Sequence, residues 1–274
     1  MSISVRTNVS SLTAQGNLSR TAGDLAKSIS RLSSGLRIES AADDAAGLAI
    51  SEDFKADIRS LSQARRNAND GVSMIQTADG ALKEVSGLLT RMRELSVQSR
   101  NGTVNTTQRG YLNDEFGQLR SELDRIVNTT EFNGVSLLDG DQAAGLEFQV
   151  GTGTSTDDVL TISIATSSAS ALGLGASSIS STSNADTAID ALDDAIEDIS
   201  SRRAGLGAMQ NRLSTTMSNL ETYSANLSAA NSRIVDVDVA EETANLTKNQ
   251  ILMQAGTAML AQANQGPSMA LQLL

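Results

Sequence analysis

Between Ala185 and Ile234 an apolar residue returns at every seventh position: Leu192, Ile199, Leu206, Leu213, Leu220, Leu227 and Ile234. Ala185, Ile189, Ile196, Met209, Tyr223 and Ala230 add a second row at steps of three and four, interrupted at Arg203 and Thr216. The register holds for about six heptads without a proline, which predicts one helix over 185–234, roughly 75 Å long. A lone helix would leave that stripe in water, so it requires partner helices.

A second seam runs through Ala64, Ala68, Gly71, Ile75, Ala78, Leu82, Val85, Leu89 and Met92, and a third through Leu112, Phe116, Leu119, Leu123 and Ile126. The turn signal Asn101-Gly102 separates them. The spacing therefore predicts an antiparallel helix pair over 64–98 and 107–127, with 185–234 laid against it. After Asn128 the period shortens. Leu146, Phe148 and Val150 alternate with polar residues, as do Leu160, Ile162 and Ile164, so a β-hairpin is expected near 145–165. Asn133-Gly134 and Asp139-Gly140 read as turns. Gly151 and Gly153 form a Gly-x-Gly with no following helix, which is a loop and not a phosphate cradle. Residues 166–183, rich in Ser, Ala and Gly, read as a short linker or exposed loop. Their hydroxyls are either unmodified or, in an exported protein, carriers of O-glycans.

The two ends carry different patterns. Val5, Val9, Leu12, Leu18, Leu25, Ile29, Leu32 and Leu36 form a thin apolar row in a polar segment. Such a segment is helical when packed against a partner; a disordered tail is the alternative. Beyond Ile234, Val239, Leu246, Met253 and Leu260 recur every seven residues, while Ile251, Leu252, Ala255, Ala258, Met259 and Ala263 place apolar groups on the other faces. A helix that is apolar nearly all round must be covered on all sides. One amphipathic N-terminal helix cannot supply that cover, so the rest has to come from other copies of the chain. Leu25, Ile29, Leu32 and Leu36 at one end, and Leu246, Ile251, Met253 and Leu260 at the other, are therefore the candidate polymerisation residues.

Composition narrows the chemistry. The chain has 274 residues, a net charge of −11, 2% aromatic residues and a single proline, Pro267. So few aromatics suit rods of helices better than an ordinary globule. It has no histidine, which removes the usual general base and metal ligand, and no cysteine, which removes disulfides and thiolate chemistry. The acidic balance argues against nucleic acid as a partner. Asp43 and Asp44 could be paired catalytic carboxylates, but no accompanying acid, base or ligand set follows, so they read as acids at a helix start. Asp236, Asp238, Glu241 and Glu242 lack the glycine and oxygen spacing of a calcium loop and read the same way. No catalytic residue, metal or cofactor is expected. No run of about 18 apolar residues exists, so no membrane insertion is expected. Met1–Arg20 lacks the layout of a secretory signal peptide. That leaves a cytoplasmic protein, or one exported by a route that reads an unfolded terminus.

Several long stretches at both ends resemble bacterial flagellin. They are Arg31-Leu-Ser-Ser-Gly-Leu-Arg37-Ile38 with Ser40–Ile50, then Arg65–Gly71, Arg93-Glu94-Leu95 and Phe132-Asn133-Gly134. At the other end they are Gln250-Ile251-Leu252, Gln254–Thr257 and Leu260–Gln265. Glu39 and Ala42 stand where the family often has Asn and Lys. Only 166–183 is available where large members carry outer domains, so the chain resembles a minimal form without them. The resemblance implies a mainly α fold: a long antiparallel helical coiled-coil bundle with a small β-hairpin, and chain termini paired in a terminal coiled coil. It implies that 1–44 and 235–274 form the filament core. It further implies a rod domain over 45–234, with helices near 45–98, 107–127 and 185–234.

The function implied is a structural subunit of the extracellular flagellar filament, used for motility and built as a helical homopolymer. The implied partners are an export chaperone on the C-terminal segment, a filament cap, a hook-associated junction protein and, in a host, the Toll-like receptor for flagellin. The implied route is type III export of the unfolded chain, with assembly at the filament tip. Receptor contact would fall on Arg91, Leu95 and Glu115, with Arg91 and Leu95 sharing a helical face. Two alternatives stand beside this reading. A hook–filament junction protein shares such ends. An enzyme carried as a protease insert would need His-Glu-x-x-His, which a chain without histidine cannot form.

Overall fold

The computed structural model describes the backbone of residues 7–272 and the side chains of residues 7–265, so Val5 falls outside it. The described helices are α1 (Val9–Ser34), α2 (Ala45–Arg100), α3 (Thr106–Thr129), α4 (Thr182–Val235) and α5 (Val239–Gln272). Two small antiparallel sheets pair β1 (Glu131–Phe132) with β2 (Val135–Ser136), and β3 (Leu146–Gln149) with β4 (Val159–Ile162). The fold is mainly α, as the heptad patterns predict. The chain forms two compact units: one takes residues up to Ala56 and from Asn226 onwards, the other Asp57–Ala225.

The Asp57–Ala225 unit has a closed apolar core. Ala64, Ala68, Ile75, Ala78, Leu82, Val85, Leu89 and Met92 of α2 are all buried, in the predicted alternation of four and three. Leu192, Ile199, Leu206 and Leu213 of α4 meet them in the same core. The second row of α4 differs from expectation. Ala185, Ala188 and Ala195 are its buried members, Ile189 and Ile196 are half-buried, and Tyr223 is 49% exposed. Small residues at those positions let neighbouring segments pack closely against that side of α4, and the larger isoleucines sit at its flank. On α3 the innermost side chains are Phe116, Leu123 and Val127, while Leu112, Leu119 and Ile126 pack half-buried beside them.

Ion pairs fix the helix directions. Arg93 pairs with Asp193 at 2.5 Å and Arg203 with Asp79 at 2.7 Å, and Arg100 pairs with Asp186, so α4 runs antiparallel to α2. Arg203 interrupts the heptad stripe because it reaches across to α2. α3 is antiparallel to α2 as well: the Arg109 guanidinium donates to the Ser99 carbonyl at 2.8 Å and Arg91 pairs with Glu115 at 2.9 Å. A reciprocal capping box starts α3, with Asn105 accepting from the Gln108 N–H and Gln108 accepting from the Asn105 N–H.

β3 and β4 are in register with Leu146 opposite Ile162 and Phe148 opposite Leu160. The hairpin tip folds over the Asp158 carboxylate, and a Cβ on Gly151 would lie 1.8 Å from Asp158 Oδ1. The Gly-x-Gly thus makes room for a side chain of its own loop. The β1–β2 hairpin escaped the pattern because two-residue strands show no alternation. Its signal was the Asn133-Gly134 pair, whose φ values of 52° and 78° are those of a type I′ turn.

Residues 166–183 are not the exposed loop their composition suggested. Ser167, Ala169, Leu172, Leu174 and Ile179 are buried. Side chains of α3 and α4 satisfy the backbone there. Arg202 donates to the carbonyls of Ala165 and Thr166, and Arg120 to that of Gly175 at 2.9 Å. Asp124 accepts from the Ala169 N–H at 2.8 Å and Asn113 from the Ile179 N–H at 2.9 Å. A few large apolar residues suffice to dock a polar segment when its N–H and C=O groups find such partners.

Candidate assembly surface

The other unit is built around α1 and α5. Asn8 caps α1, its carboxamide oxygen accepting from the Ser11 N–H at 3.1 Å, and Gly35 ends it at φ 74°. Asp238 starts α5 by accepting from the Ala240 and Glu241 N–H groups, so the acidic run there is a helix start, as expected. The two helices pack antiparallel. Asn8 Nδ2 donates to the Ala263 carbonyl at 2.8 Å, Leu18 lies against Gly256, and Arg31 meets Glu242 at 3.9 Å. A Cβ on Gly256 would lie 3.1 Å from Leu18 Cδ1, so glycine sets the close approach.

Where α1 ends, the chain is tied to the joint between α4 and α5. The Arg37 N–H donates to the Val235 carbonyl at 2.6 Å and the Val237 N–H to the Gly35 carbonyl at 3.0 Å. A polar cluster closes this corner. Glu39 accepts from the hydroxyls of Ser34 and Ser30, which hold its carboxyl below the usual range. Asp43 accepts from the Ser40 hydroxyl and N–H, which lower its pKa, and lies 3.7 Å from Arg31. Asp44 caps α2 by accepting from the Ala46 and Gly47 N–H groups. The two aspartates are thus structural acids of a turn and a helix start.

One face of each helix is used in this pairing. Leu25, Leu32 and Leu36 of the N-terminal segment, and Leu246, Met253 and Leu260 of α5, are half-buried within the unit. Ile29 and Ile251 are not: they stand 53% and 60% exposed. The eight candidate residues therefore divide into six that the single chain partly covers and two that it leaves in water. Val9, Leu12, Val239, Leu252 and Met259 join the exposed pair, at 66%, 59%, 60%, 46% and 65%. They are missing from the candidate set, although the signal was present: most fall out of phase with the seven-residue rows. Val9, Leu252 and Met259 border an open apolar groove of about 550 Å³ along the helix pair, with Leu18 and Gly256 in its wall.

The second candidate patch lies in the Asp57–Ala225 unit. Arg91 donates to Glu94 at 2.8 Å and to Glu115 at 2.9 Å, an exposed cluster that raises the arginine pKa. Leu95 does not belong to this surface. It is 1% exposed, because the buried seam of α2 continues through Leu89, Met92 and Leu95 and turns the leucine inward. The resemblance puts Leu95 in receptor contact beside Arg91, and in the single chain that leucine is buried instead.

Among the described residues no group of three or more His, Cys, Asp or Glu could hold a metal ion, and no helix is long and apolar enough to cross a membrane. What the geometry offers is unfilled apolar surface on two paired terminal helices.

Comparison with known proteins bears directly on that surface. The bacterial flagellin N-terminal helical region matches residues 5–143 and the bacterial flagellin C-terminal helical region matches residues 189–274. A flagellin of Halalkalibacterium halodurans is 48% identical over 267 residues, covering 97% of this chain and 98% of that protein. A flagellar filament 33 kDa core protein of Treponema phagedenis is 43% identical over 286 residues, with the same shares covered. The crystal structure of Bacillus cereus flagellin matches with a TM-score of 0.51 at 33% identity, covering 61% of this chain and 94% of that one.

Proposed function

The chain belongs to the bacterial flagellin family, and from that premise we propose that it is the structural subunit of a flagellar filament, assembling with copies of itself outside the cell. The observation that carries this reading is the set of apolar side chains that the α1–α5 pairing leaves in water. Val9, Leu12, Ile29, Val239, Ile251, Leu252 and Met259 are all strongly exposed in the single chain. Burying each would contribute roughly 1.5–3 kcal/mol before ordering costs. A repeated contact between copies covers them. The chain is not an enzyme; flagellins are structural proteins.

The hook–filament junction alternative is not favoured, because relatives that align over 97% of the chain are named flagellin or filament core protein. In the reading proposed here, residues 1–44 and 235–274 line the filament core and 45–234 form the rod outside it. Export in an unfolded state, a cap at the growing tip and a junction protein at the base belong to the same proposal. So does a chaperone on the C-terminal segment, which the exposed apolar face of α5 supports because that face needs cover before assembly. Receptor recognition on the α2–α3 surface belongs to the proposal as well and rests on Arg91 and Glu115 without Leu95. It acts on the monomer, where the patch is free.

The test is electron microscopy of the purified full-length chain induced to polymerise. Filaments of uniform diameter are expected. A chain that stays monomeric under all such conditions contradicts the reading, and a few copies per isolated filament restores the junction alternative.

A further inference from the structure

We propose that Met259 is an oxidation-sensitive position that gates assembly. The inference rests on the filament reading above. Of the methionines with described side chains, Met74 and Met92 are 1% and 0% exposed in the Asp57–Ala225 core. Met209, Met217 and Met253 are half-buried. Met259 alone among them is strongly exposed, at 65%, on the outward side of α5. It borders the apolar groove between α1 and α5, beside Val9, Leu252 and Gly256. The thioether is thus open to solvent in the monomer at a place that a neighbouring copy must cover.

Thioether oxidation follows accessibility. With a peroxide as oxidant, the sulfur lone pair attacks one peroxide oxygen. An S–O bond forms, the O–O bond breaks, the sulfur loses two electrons and the other oxygen leaves as water or alcohol after proton transfer. The product is a sulfoxide, whose polar S=O replaces a soft apolar group. Within one folded chain this costs little, since the side chain stays in water. In the assembled groove the S=O has to be desolvated among Val9, Leu18, Leu252 and Ala255, where the Thr13 and Thr21 hydroxyls of α1 already donate to the Val9 and Asn17 carbonyls. Oxidation therefore acts on assembly and not on folding. It acts on free subunits, since the polymer shields the sulfur. Reductases that convert methionine sulfoxide back to methionine make the block reversible.

The experiment treats full-length monomer with dilute hydrogen peroxide, maps sulfoxide by peptide mass, and measures polymerisation by sedimentation and helicity by circular dichroism. Met259 is expected to oxidise well before Met74 and Met92. Helicity should stay constant, and the critical concentration for polymerisation should rise about tenfold. Enzymatic reduction of the sulfoxide should restore assembly. Met259→Leu keeps an apolar side chain without sulfur and should polymerise equally before and after peroxide. Three outcomes would overturn the proposal: oxidised wild type that polymerises as before, Met259→Leu that loses assembly on peroxide treatment, or Met259 that reacts no faster than Met74. If untreated wild type fails to polymerise, it is the filament reading that falls.

Discussion

In the Asp57–Ala225 unit, Val97, Tyr111 and Tyr223 are the strongly exposed large apolar or aromatic side chains among the described residues; everything else of that kind is at least partly covered. In the terminal unit Val9, Leu12, Ile29, Ile50, Val239, Ile251, Leu252 and Met259 stand in water. Both units are made of long helices with seven-residue apolar rows. They differ in how many helical faces are apolar and how many partners the chain itself provides. α2, α3 and α4 each bury one stripe against the others and against two β-hairpins. α5 carries apolar residues on several faces and has one long partner. A unit of the first kind is stable by itself; a unit of the second kind is completed by other molecules.

Charge insertion should separate the two most sharply. Leu213 is fully buried where α4 crosses Gly71 of α2. Leu213→Asp leaves a carboxylate without a partner in the core and should cost about 3–5 kcal/mol. Circular dichroism should show lost helicity and a lower melting temperature. An unchanged melt would mean that the α2–α4 seam is not the core described here.

Much of this contrast was legible beforehand. The α2 seam from Ala64 to Met92 and the α4 row from Leu192 to Leu213 were read correctly because large residues in strict heptads leave one orientation that buries them all. The β3–β4 hairpin followed from alternation. The errors have local causes. Ala188 and Ala195 are buried while Ile189 and Ile196 are half-buried, a rotation of α4 that ranking by hydrophobicity alone does not give. Leu95 lies one step past the predicted seam, which ends at Met92, so its burial is not part of that row. The strap at 166–183 escaped because its cover depends on Arg120, Asn113, Asp124 and Arg202, distant polar residues whose reach no window of sequence displays. In the terminal unit the need for outside cover was visible, but which residues remain exposed depended on the rotation of α5 against α1.

A smaller effect probes how the terminal unit holds its corner. A Cβ on Gly47 would lie 2.6 Å from Asp44 Oδ2 and 2.8 Å from Ile38 Cδ1. Gly47→Ala should therefore cost about 1–3 kcal/mol despite the better helix propensity of alanine. Hydrogen exchange should show the loss around α1 and the start of α2, with protection of the Asp57–Ala225 core unchanged. Loss spread evenly over the chain would mean that the units do not respond separately.

Surface pairs should matter less. Arg93→Ala breaks an exposed pair with Asp193 and should change stability by no more than about 1 kcal/mol, shrinking as salt rises. A larger, salt-independent loss would show that this pair fixes the α2–α4 register.

The smallest expected effect is a pH dependence at Glu39. Hydroxyls of Ser34 and Ser30 lower its folded-state pKa. Its contribution is present above the unfolded carboxylate value of about 4 and is lost as pH falls through the lower folded value. The melting difference between wild type and Glu39→Gln should therefore exist near neutral pH and close below about pH 4. A difference that grows on acidification would have the wrong sign.

The apolar surface of the terminal pair is left uncovered in one chain and is completed by other copies. The direct measurement is sedimentation of Ile251→Asp under polymerising conditions, beside circular dichroism of the monomer. Ile251 is 60% exposed, so the monomer should keep its helicity and melting temperature, while filament formation should be lost. Filaments formed at the wild-type critical concentration would contradict the claim.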